Sequence, residues 1–482
     1  MKKSMKDESG NKAEFFSSSV GGGQVGAVYF IGIGGIGMSA LARYYHSKGT
    51  RVSGYDKTPS SLTGELEKIG IAIHYEENIE LIPKDTEMVV YTPAVPKDHK
   101  ELNYYQQNGY KVVKRSDVLQ IITESSFNIC IAGTHGKTTI STMVAHLLRH
   151  TGYGCNAFLG GISVNYGTNF WASERNVCVV EADEYDRSFL KLFPDMAIIT
   201  AMDADHLDIY GTAEEVENAF IDFSNNVKEG GMLLSKFGLK RAKELDGKNR
   251  KHLTYSLQNE SADVYTENIR MMDGSYEFDV VTKENNIEKL ILNMGGMHNV
   301  ENMVAAISVA SSLGINNEKI KAAVKDFKGV RRRFEYIIKT KDLVFVDDYA
   351  HHPEELRALI SGAKALFSQR KCTVVFQPHL YTRTRDFADG FAEVLDMADE
   401  VILLPIYPAR ELPIEGVNSQ MVLDMMKNEN KSVMTKKELM NWMKNDFSKT
   451  VNKDFGEIII TAGAGDIDTL IEPIKEVLKD LK

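Results

Sequence analysis

Cysteine is scarce in this 482-residue chain, which contains four: Cys130, Cys155, Cys178 and Cys372. No two of them have the Cys-x-x-Cys spacing of zinc-binding or redox-active pairs. Most lie in apolar or helix-flanking stretches that are typical of reduced, buried thiols. We therefore expect a protein of a reducing compartment and place it in the cytoplasm.

Long hydrophobic runs are missing as well. No segment has about eighteen uninterrupted apolar residues, so we predict no membrane span and no membrane partner. The first stretch, MKKSMKDESGNKAEFFSSSVGGGQVG, contains lysines but no apolar run of signal-peptide length. We expect residues 1–25 to form a flexible tail rich in serine and glycine.

Basic residues do not dominate, because the formal net charge is −10 at pH 7. A nucleic-acid-binding protein needs a basic surface, so we expect no nucleic acid partner, while small anionic substrates fit local sites. The chain is 43% hydrophobic and 26% charged, as in ordinary globular proteins. Its length predicts about three domains.

Short apolar strands alternate with helix-like stretches after the tail. Examples are AVYFIGI, RVSGYD and MVVYTPA in residues 26–122, FNICIAG, VCVVEAD and MAIIT in 123–331, and LVFVDD, CTVVF, EVILL and EIIITA in 332–482. This alternation is typical of parallel α/β sheets with helices on their faces. We predict three α/β domains with those boundaries.

The first glycine-rich turn follows the strand AVYFIGI. Gly32, Gly34 and Gly37 satisfy G-x-G-x-x-G, with Gly35 among them, and Asp56 ends the next strand. By itself this pattern predicts an NAD site. A tight turn before a helix N-terminus holds any diphosphate, however, so a UDP group fits equally well. A turn that only lets a helix pack on a strand remains the structural alternative.

The second turn is GTHGKTT, between the strand FNICIAG and an amphipathic helix. Gly133 and Gly136 allow a tight turn, Lys137 can reach β- and γ-phosphates, and the Thr138 hydroxyl can ligate magnesium. The spacing is shorter than the standard G-x-x-x-x-G-K-[ST], because position 131 is Ile131. We interpret it as a variant phosphate-binding loop, with a chance Gly-Lys-Thr turn as the alternative.

Two later strands deliver acidic residues at their carboxyl ends, where ligands bind in open α/β sheets. VCVVEADEYDRS supplies Glu181 and Asp183, and AIITAMDADHLDIYG supplies Asp205, His206 and Asp208. Magnesium prefers carboxylate oxygens, so Glu181 is the stronger ligand candidate. For His206, a role as a helix-capping or core histidine remains open.

The prediction of two phosphate-binding turns in one chain restricts the classes of protein that fit the sequence. A hydride-transfer enzyme has no use for a phosphate site built from a lysine, a threonine and a carboxylate. Phosphoryl chemistry on one ligand and recognition of another is therefore favoured. Two rival classes stay open: an NAD-dependent oxidoreductase, and a regulatory protein that hydrolyses ATP without making an amide.

A series of motifs resembles the Mur ligases of peptidoglycan synthesis. They are GIGGIGMSALA, GTHGKTT, EADEYD, DADHLDIYG, GMHNVENMVAAI, GVRRRFE, DDYAHHPEE, QPHLYTRTRD, YPARELPIEGV and TAGAGDI, and they cover nearly the whole chain after the tail. The resemblance implies a Rossmann-like UDP-sugar-binding domain, a central P-loop ATPase-like domain for ATP and Mg²⁺, and a C-terminal Rossmann-like ligase domain. The first turn would then hold UDP and the second ATP.

The resemblance also implies a reaction. ATP would phosphorylate the lactyl carboxylate of UDP-N-acetylmuramate, and the amine of L-alanine would attack the acyl phosphate, giving an amide, ADP and phosphate. A ligase that attaches a recycled murein peptide to the same sugar is the alternative within the family. No oligomeric state follows from the sequence.

Roles follow for the residues at positions that match the family motifs. The catalytic positions would be Lys137, Glu181, His206, His352, His379 and Arg383. The metal-binding positions would be Thr138, Glu181 and His206. The ATP-binding positions would be Gly133, Thr134, His135, Gly136, Lys137, Thr138, Thr139, His298, Asn299, Arg332 and Arg333. The UDP-sugar-binding positions would be Gly32, Gly34, Gly35, Gly37 and Asp56.

Overall fold

The computed structural model describes residues 25–479, apart from 248, 284, 285, 410, 448, 450 and 453. The predicted flexible tail therefore lies outside the described residues for its first 24 positions, and so does the side chain of Asp208. Within the described ranges, no helix is both long and apolar enough to cross a membrane.

The first sheet is parallel and has helices after its strands. Its strands are β1 (Ala27–Ile31), β2 (Arg51–Tyr55), β3 (Ala72–His74), β4 (Met88–Tyr91) and β5 (Val112–Lys114). Its helices are α1 (Ile36–Ser47), α2 (Ser61–Lys68), α3 (Lys100–Gln107) and α4 (Arg115–Glu124). The strand order is β3-β2-β1-β4-β5, so the direction of winding reverses at β1, where ligands bind in such sheets.

The second sheet is the largest. Its strands are β6 (Phe127–Ala132), β7 (Asn156–Ser163), β8 (Thr168–Trp171), β9 (Val177–Glu181), β10 (Met196–Ile199), β11 (Met232–Lys236), β12 (Lys251–Tyr255), β13 (Val264–Met272), β14 (Ser275–Thr282) and β15 (Asn286–Leu292). The helices of this part are α5 (Lys137–His150), α6 (Leu207–Tyr210), α7 (Ala213–Asn225), α8 (Met297–Ser312) and α9 (Asn317–Asp326). The strand order is β15-β14-β13-β12-β11-β10-β6-β9-β7-β8.

Both ends of the second sheet carry antiparallel additions that the sequence analysis did not predict. β13, β14 and β15 pair in antiparallel fashion at one end, and β8 pairs with β7 at the other. β13 and β15 are exposed along part of their length, so they lack the continuous apolar runs by which the buried parallel strands are recognised. The predicted α/β class is confirmed, with these hairpins added to it.

The third sheet contains one antiparallel edge strand. Its strands are β16 (Glu335–Lys339), β17 (Leu343–Asp348), β18 (Lys371–Phe376), β19 (Glu400–Leu403), β20 (Lys431–Val433) and β21 (Glu457–Ala462). Its helices are α10 (Pro353–Leu366), α11 (Tyr381–Asp386), α12 (Ala388–Leu395), α13 (Ser419–Met425), α14 (Lys436–Trp442) and α15 (Ile471–Lys479). The order is β16-β17-β21-β18-β19-β20, with β16 antiparallel to β17.

Helix α5 follows the second glycine turn and is the amphipathic helix that the sequence predicts. Its apolar positions are at most 1% exposed: Ile140, Met143, Val144, Leu147 and Leu148. Their helical spacing places one continuous apolar face against the second sheet. Burial of this face fixes the position of the turn that precedes the helix.

The three sheets are joined by buried contacts. Asn169 of β8 donates hydrogen bonds to the Ile36 carbonyl (2.6 Å) and to Ser39 Oγ (3.0 Å) of α1, which docks the first sheet on the second. Tyr336 OH and Lys339 Nζ of β16 donate to the carbonyl of Gly274, between β13 and β14. The hairpin at the end of the second sheet therefore supports the third.

The domain boundaries given above stay predictions. Position 122 lies inside α4, which ends at Glu124, and position 332 lies between α9 and β16. The four cysteines are buried and free, which agrees with the expectation of reduced core thiols.

His146 connects α5 to α9 from a fully buried position. Its Nε2 lies 2.8 Å from the Ala323 carbonyl oxygen, and its Nδ1 lies 3.1 Å from Tyr166 OH. A neutral imidazole satisfies both contacts when Nε2 carries the hydrogen and Tyr166 donates. Burial lowers the pKa of His146 from 6.5 to about 4, although the hydrogen bond to Ala323 opposes that change.

We predict that acid weakens the fold in part through His146. The unfolded chain takes up a proton on this residue between pH 6.5 and about 4 while the folded chain does not. The stability that His146 contributes is therefore complete above about pH 6.5 and is lost as the pH falls toward 4. From about pH 7 to about pH 5 this loss is about 2 kcal/mol in the free energy of unfolding.

Urea titrations of the wild type and of His146→Gln at both pH values measure this loss. The variant should lose about 2 kcal/mol less than the wild type on acidification. His46→Gln, at an exposed position near the end of α1, serves as the matched control and should behave like the wild type. Equal losses in the wild type and His146→Gln would contradict the assignment.

Candidate active site

The carboxyl ends of three neighbouring strands meet at one edge of the second sheet. β6 lies between β9 and β10, with Ile131 paired to Glu181 and Ala132 paired to Ile199. Because the three strands run parallel, the segments that follow them lie side by side. The turn 133–136, the acidic motif after β9 and the segment after β10 therefore form one site.

The turn between β6 and α5 is tight. Gly133 has a φ of +133°, and a Cβ at this position would clash with Thr200 Oγ1, so glycine is required. Thr200 Oγ1 donates a hydrogen bond to the carbonyl of His135 and so fastens the turn to the segment after β10. Gly136, with a φ of +79°, caps α5. The first-turn amides of a helix have no intrahelical acceptors, so they are suited to binding an anion such as phosphate.

Lys137 is the first residue of α5. Its Nζ donates to the Gly133 carbonyl oxygen and to Glu184 Oε1, both at 2.8 Å. The side chains of Lys137 and Glu184 are 14% and 1% exposed. The sequence analysis singled out Glu181 and Asp183 in the motif EADEYD and missed Glu184, although a third carboxylate in that motif was visible.

Thr138 and Glu181 form an oxygen pair beside the lysine. Thr138 Oγ1 donates to Glu181 Oε1 at 3.0 Å, and Glu181 Oε2 accepts from the amide of Gly160 at 3.0 Å. A Cβ at Gly160 would clash with the Glu181 carboxylate. Burial raises the pKa of Glu181, opposed by the Thr138 hydrogen bond and the charge of Lys137. A hydroxyl beside a carboxylate is the donor set that Mg²⁺ prefers.

His206 lies near Glu184, the carboxylate that binds Lys137. It has a left-handed backbone with a φ of +52°, and its Nε2 lies 3.9 Å from Glu184 Oε1 and 3.8 Å from Asp205 Oδ2. The ring of Tyr185 meets it edge-on at 5.1 Å. Among the described residues, no cluster of three or more His, Cys, Asp or Glu side chains could hold a metal ion. The metal-binding role of His206 stays a prediction.

The remaining predicted residues of the turn differ in exposure. Thr134 and Thr139 are buried, and Thr134 Oγ1 accepts from the Asp203 amide at 3.3 Å. The His135 side chain is 74% exposed and lies 3.6 Å from Asp203 Oδ2. The turn is therefore fixed on its inner face and open to solvent at His135.

The N-terminus of α8 faces the same turn through Asn302, whose Oδ1 lies 3.1 Å from a Cβ placed on Gly136. Asn302 Nδ2 donates to Asn299 Oδ1 at 3.2 Å, and Asn299 Nδ2 donates to the Gly295 carbonyl at 2.7 Å. His298 is beside them, and burial lowers its pKa. The structure therefore brings Asn299, through Asn302, beside the second turn, and the ATP-binding roles of His298 and Asn299 stay predictions.

Arg332 and Arg333 differ in their contacts. Arg332 lies 3.3 Å from Asp347 Oδ2 and donates to the Gly463 carbonyl, so its guanidinium is committed to the third sheet. Burial raises the pKa of Asp347 to about 7, opposed by the charge of Arg332. Both guanidinium groups lie over the ring of Tyr349, Arg332 at 5.1 Å and Arg333 at 5.7 Å. Burial lowers the pKa of His298, and the charge of Arg333 adds to that effect. The ATP-binding roles of both arginines stay predictions.

His379 and Arg383 form a cluster in the third domain. Arg383 Nη1 lies 3.4 Å from His379 Nδ1, and the His379 ring stacks on Tyr407 at 5.7 Å and 14°. Burial, followed by the positive charge of Arg383, lowers the pKa of His379. At neutral pH the pair is therefore one cation beside a neutral imidazole.

His352 is placed apart from this cluster. Its ring packs edge-on against Phe387 at 4.6 Å, and its amide donates to Glu355 Oε2 at 3.2 Å at the start of α10. Its neighbour His351 lies nearer, with its ring 6.2 Å from that of His379. The sequence motif contains both histidines, and only the backbone path into α10 decides which one faces the cluster. The catalytic role of His352 stays a prediction.

The first glycine turn closes on Asp56. Gly32 has a φ of +85°, and the Gly35 amide donates to its carbonyl at 3.2 Å. Asp56 Oδ2 accepts from the Gly34 amide at 2.8 Å, and Oδ1 accepts from the Thr58 amide at 3.3 Å. The carboxylate therefore lies beside the turn and stabilises it, and its role in binding the UDP-sugar stays a prediction.

Arg115, which was not predicted from the sequence, connects the first turn to the segment after β9. A Cβ on Gly37 would lie 2.8 Å from its Nη1, so the guanidinium rests on the start of α1. Its Nη2 lies 3.7 Å from Asp183 Oδ2, in the motif after β9. A cation is thus held between the first turn and the acidic segment that borders the second turn.

Family models match nearly the whole chain in three consecutive segments. The Mur ligase family, catalytic domain, matches residues 27–126, the Mur ligase middle domain matches 131–310, and the Mur ligase, glutamate ligase domain, matches 332–465. These segments contain the first sheet, nearly all of the second sheet with its glycine turn, and all of the third sheet.

Individual proteins are similar over the same length. The UDP-N-acetylmuramate--L-alanine ligase of Parabacteroides distasonis is 50% identical over 462 residues, which cover 94% of this chain and 98% of that protein. A crystal structure of the UDP-N-acetylmuramate-alanine ligase of Thermotoga maritima has a TM-score of 0.78 at 28% identity, covering 95% of this chain and 100% of that one.

A second solved structure shares the fold at lower identity. The murein peptide ligase of Psychrobacter arcticus has a TM-score of 0.64 at 21% identity and covers 94% of this chain and 98% of that one. Three consecutive family models and a near-full-length relative at 50% identity agree with the arrangement of both glycine turns. The chain therefore belongs to the Mur ligase family.

Proposed function

We propose that the protein is an ATP-dependent ligase that joins L-alanine to the lactyl carboxylate of UDP-N-acetylmuramate in the synthesis of peptidoglycan precursors. The observation that carries the proposal is the 50% identity, over 94% of the chain, with a ligase of that name. The solved structure of the murein peptide ligase is 21% identical, so it supports the shared fold alone. Because ATP and a nucleotide sugar are cytoplasmic metabolites, we place the enzyme in the cytoplasm.

The residues present fit ATP and Mg²⁺ at the second turn. The tight glycine turn, the first-turn amides of α5 and Lys137 suit the phosphates, and the oxygens of Thr138 and Glu181 suit the metal. When bound, ATP supplies the phosphoryl group and Mg²⁺ neutralises its charge. Lys137 already lies at this position, held by two protein oxygens that phosphate oxygens would replace.

In the first step, phosphorylation of the lactyl carboxylate, side chains and backbone amides of this protein neutralise charge and position the reactants. A carboxylate oxygen is a poor leaving group, so the lactyl carboxylate must be converted to an acyl phosphate before an amine can displace it. Lys137 and the α5 amides stabilise the negative charge that develops on the transferring phosphoryl group. Arg115 lies between the first turn and the segment after β9 and neutralises the anionic sugar substrate as its carboxylate approaches.

The third domain binds the amino acid and takes a proton from its ammonium group. Arg383 is a cation suited to the carboxylate of the amino acid, and the neutral His379 beside it accepts a proton from the ammonium group. The free amine then attacks the acyl carbon, and collapse of the tetrahedral intermediate expels phosphate and leaves the amide. Closure of this domain over the other two excludes water from the acyl phosphate.

Turnover of the enzyme should depend on both substrates of the proposed reaction. Phosphate release from ATP and Mg²⁺ should require UDP-N-acetylmuramate and L-alanine together, and mass analysis should show an alanine adduct of the sugar. Release with a murein peptide in place of L-alanine would identify the peptide-attaching alternative. Release without an adduct would support a regulatory ATPase, and an absorbance change of a nicotinamide cofactor would support the oxidoreductase.

Lys137→Ala should lower kcat by a factor of hundreds or more, because it removes the positive charge that faces the transferring phosphoryl group. Lys228→Ala is the matched control: Lys228 also forms an ion pair at 2.8 Å, with Asp195, in the same domain. Steady-state phosphate release measures both variants. A Lys137→Ala rate within a few-fold of the wild type would show that the second turn is not the ATP site.

Asp56→Asn should raise the KM for UDP-N-acetylmuramate by about tenfold and leave the KM for ATP unchanged. Asparagine still accepts a hydrogen bond from the turn but lacks the charge that binds a ribose hydroxyl. The two KM values come from the same assay with one substrate varied at a time. A rise in the KM for ATP alone would reverse the assignment of the two turns.

A further inference from the structure

Glu184 is the most deeply buried carboxylate of the candidate site. Its side chain is 1% exposed, one oxygen accepts from Lys137 at 2.8 Å, and the other is buried with no hydrogen-bond partner among the described residues. Its backbone carbonyl accepts a hydrogen bond from Tyr210 OH at 2.6 Å, which holds the residue in place. His206 Nε2 is more distant, at 3.9 Å from Glu184 Oε1, so Lys137 is the nearest cation. A buried carboxylate depends strongly on its nearest cation.

The ammonium group of Lys137 can donate hydrogen bonds to protein oxygens or to the phosphate oxygens of a bound nucleotide. In this structure its ammonium is shared by Glu184 Oε1 and the Gly133 carbonyl oxygen. A nucleotide on the turn would offer phosphate oxygens to the same ammonium. The phosphates must therefore displace the protein oxygens from the lysine or share its ammonium group with them.

We infer that Glu184 is a positioning residue that grips Lys137 and competes with the nucleotide phosphates for its ammonium group. The inference rests on the proposed function, because it requires a nucleotide at the second turn. Glu184 keeps the lysine at the mouth of the turn before the nucleotide arrives and restrains it during phosphoryl transfer. It also keeps the bound nucleotide from being held too tightly.

Two opposite effects follow when the charge of Glu184 is removed. The lysine is free to bind phosphate fully in the ground state, so nucleotide affinity rises. Its position is no longer restrained, so less of that binding is specific to the transition state. Tighter ground-state binding without a matching gain in the transition state lowers kcat.

Glu184→Gln keeps the size of the side chain and removes its charge. Calorimetric titration with MgADP should give an affinity about fivefold higher than that of the wild type. Steady-state kinetics should give a lower KM for ATP and a kcat lower by about tenfold. An affinity that is unchanged or weaker, with the wild type binding MgADP normally, overturns the inference.

Glu184→Asp and a double variant test whether the effect passes through Lys137. The shorter aspartate weakens the grip without removing the charge, so affinity should rise above the wild type but less than in Glu184→Gln. A residue that only packs would give the reverse order, because glutamine preserves its shape. In a Lys137→Ala background, Glu184→Gln should no longer raise the affinity by about fivefold. Should Glu184→Gln fail to fold, an unchanged or lower affinity in Glu184→Asp overturns the inference.

Glu217→Gln is the matched control, because Glu217 is a buried carboxylate on α7 whose oxygen lies 2.7 Å from Lys240 Nζ. It should leave the MgADP affinity and kcat at wild-type values. Titration of the wild type with MgADP distinguishes a failure of the proposed function from a failure of the role proposed for Glu184. If the wild type does not bind MgADP, the proposed function fails; if it binds and Glu184→Gln does not bind more tightly, only the role of Glu184 fails.

Discussion

The candidate site depends on one constraint, the position of β6 between β9 and β10. Parallel strands end at a common edge, so three segments that are far apart in the chain come together there. The glycine turn brings Lys137, the segment after β9 brings Glu184, and the segment after β10 brings Thr200, which fastens the turn. A different strand order would leave each of these motifs without its partners.

The charged and polar side chains at this edge of the sheet contact one another in pairs. A bound ligand can take the place of one member of each pair. Lys137 is shared between protein oxygens, and Thr138 donates to Glu181. Both contacts satisfy groups that would otherwise be buried without partners, and both involve groups suited to phosphate or metal. Arg115 extends the arrangement to the first glycine turn through Asp183. Binding is therefore a replacement of internal contacts by contacts to ligand.

Much of the fold was predictable because it is encoded in local patterns. Buried strands such as β6 and β17 read as apolar runs, α5 showed helical spacing, and glycines with positive φ stood where tight turns were expected. The solvated hairpin strands were missed, because their patterns are weaker. Within motifs, the residue types were visible but the contacts of their side chains were not. Arg332 pairs with Asp347 while Arg333 does not, and His351 faces His379 where His352 packs on Phe387.

Local patterns in the sequence were enough to predict the α/β class, the two glycine turns and the resemblance to the Mur ligases, because each depends on short stretches of the chain. Which carboxylate holds Lys137, which histidine lies near His379 and Arg383, and the contact of Arg115 with Asp183 followed from the packing of the folded chain. Those outcomes depend on strand order and on how helices and sheets pack, which bring together residues separated by tens of positions. Local spacing carries no information about such distances.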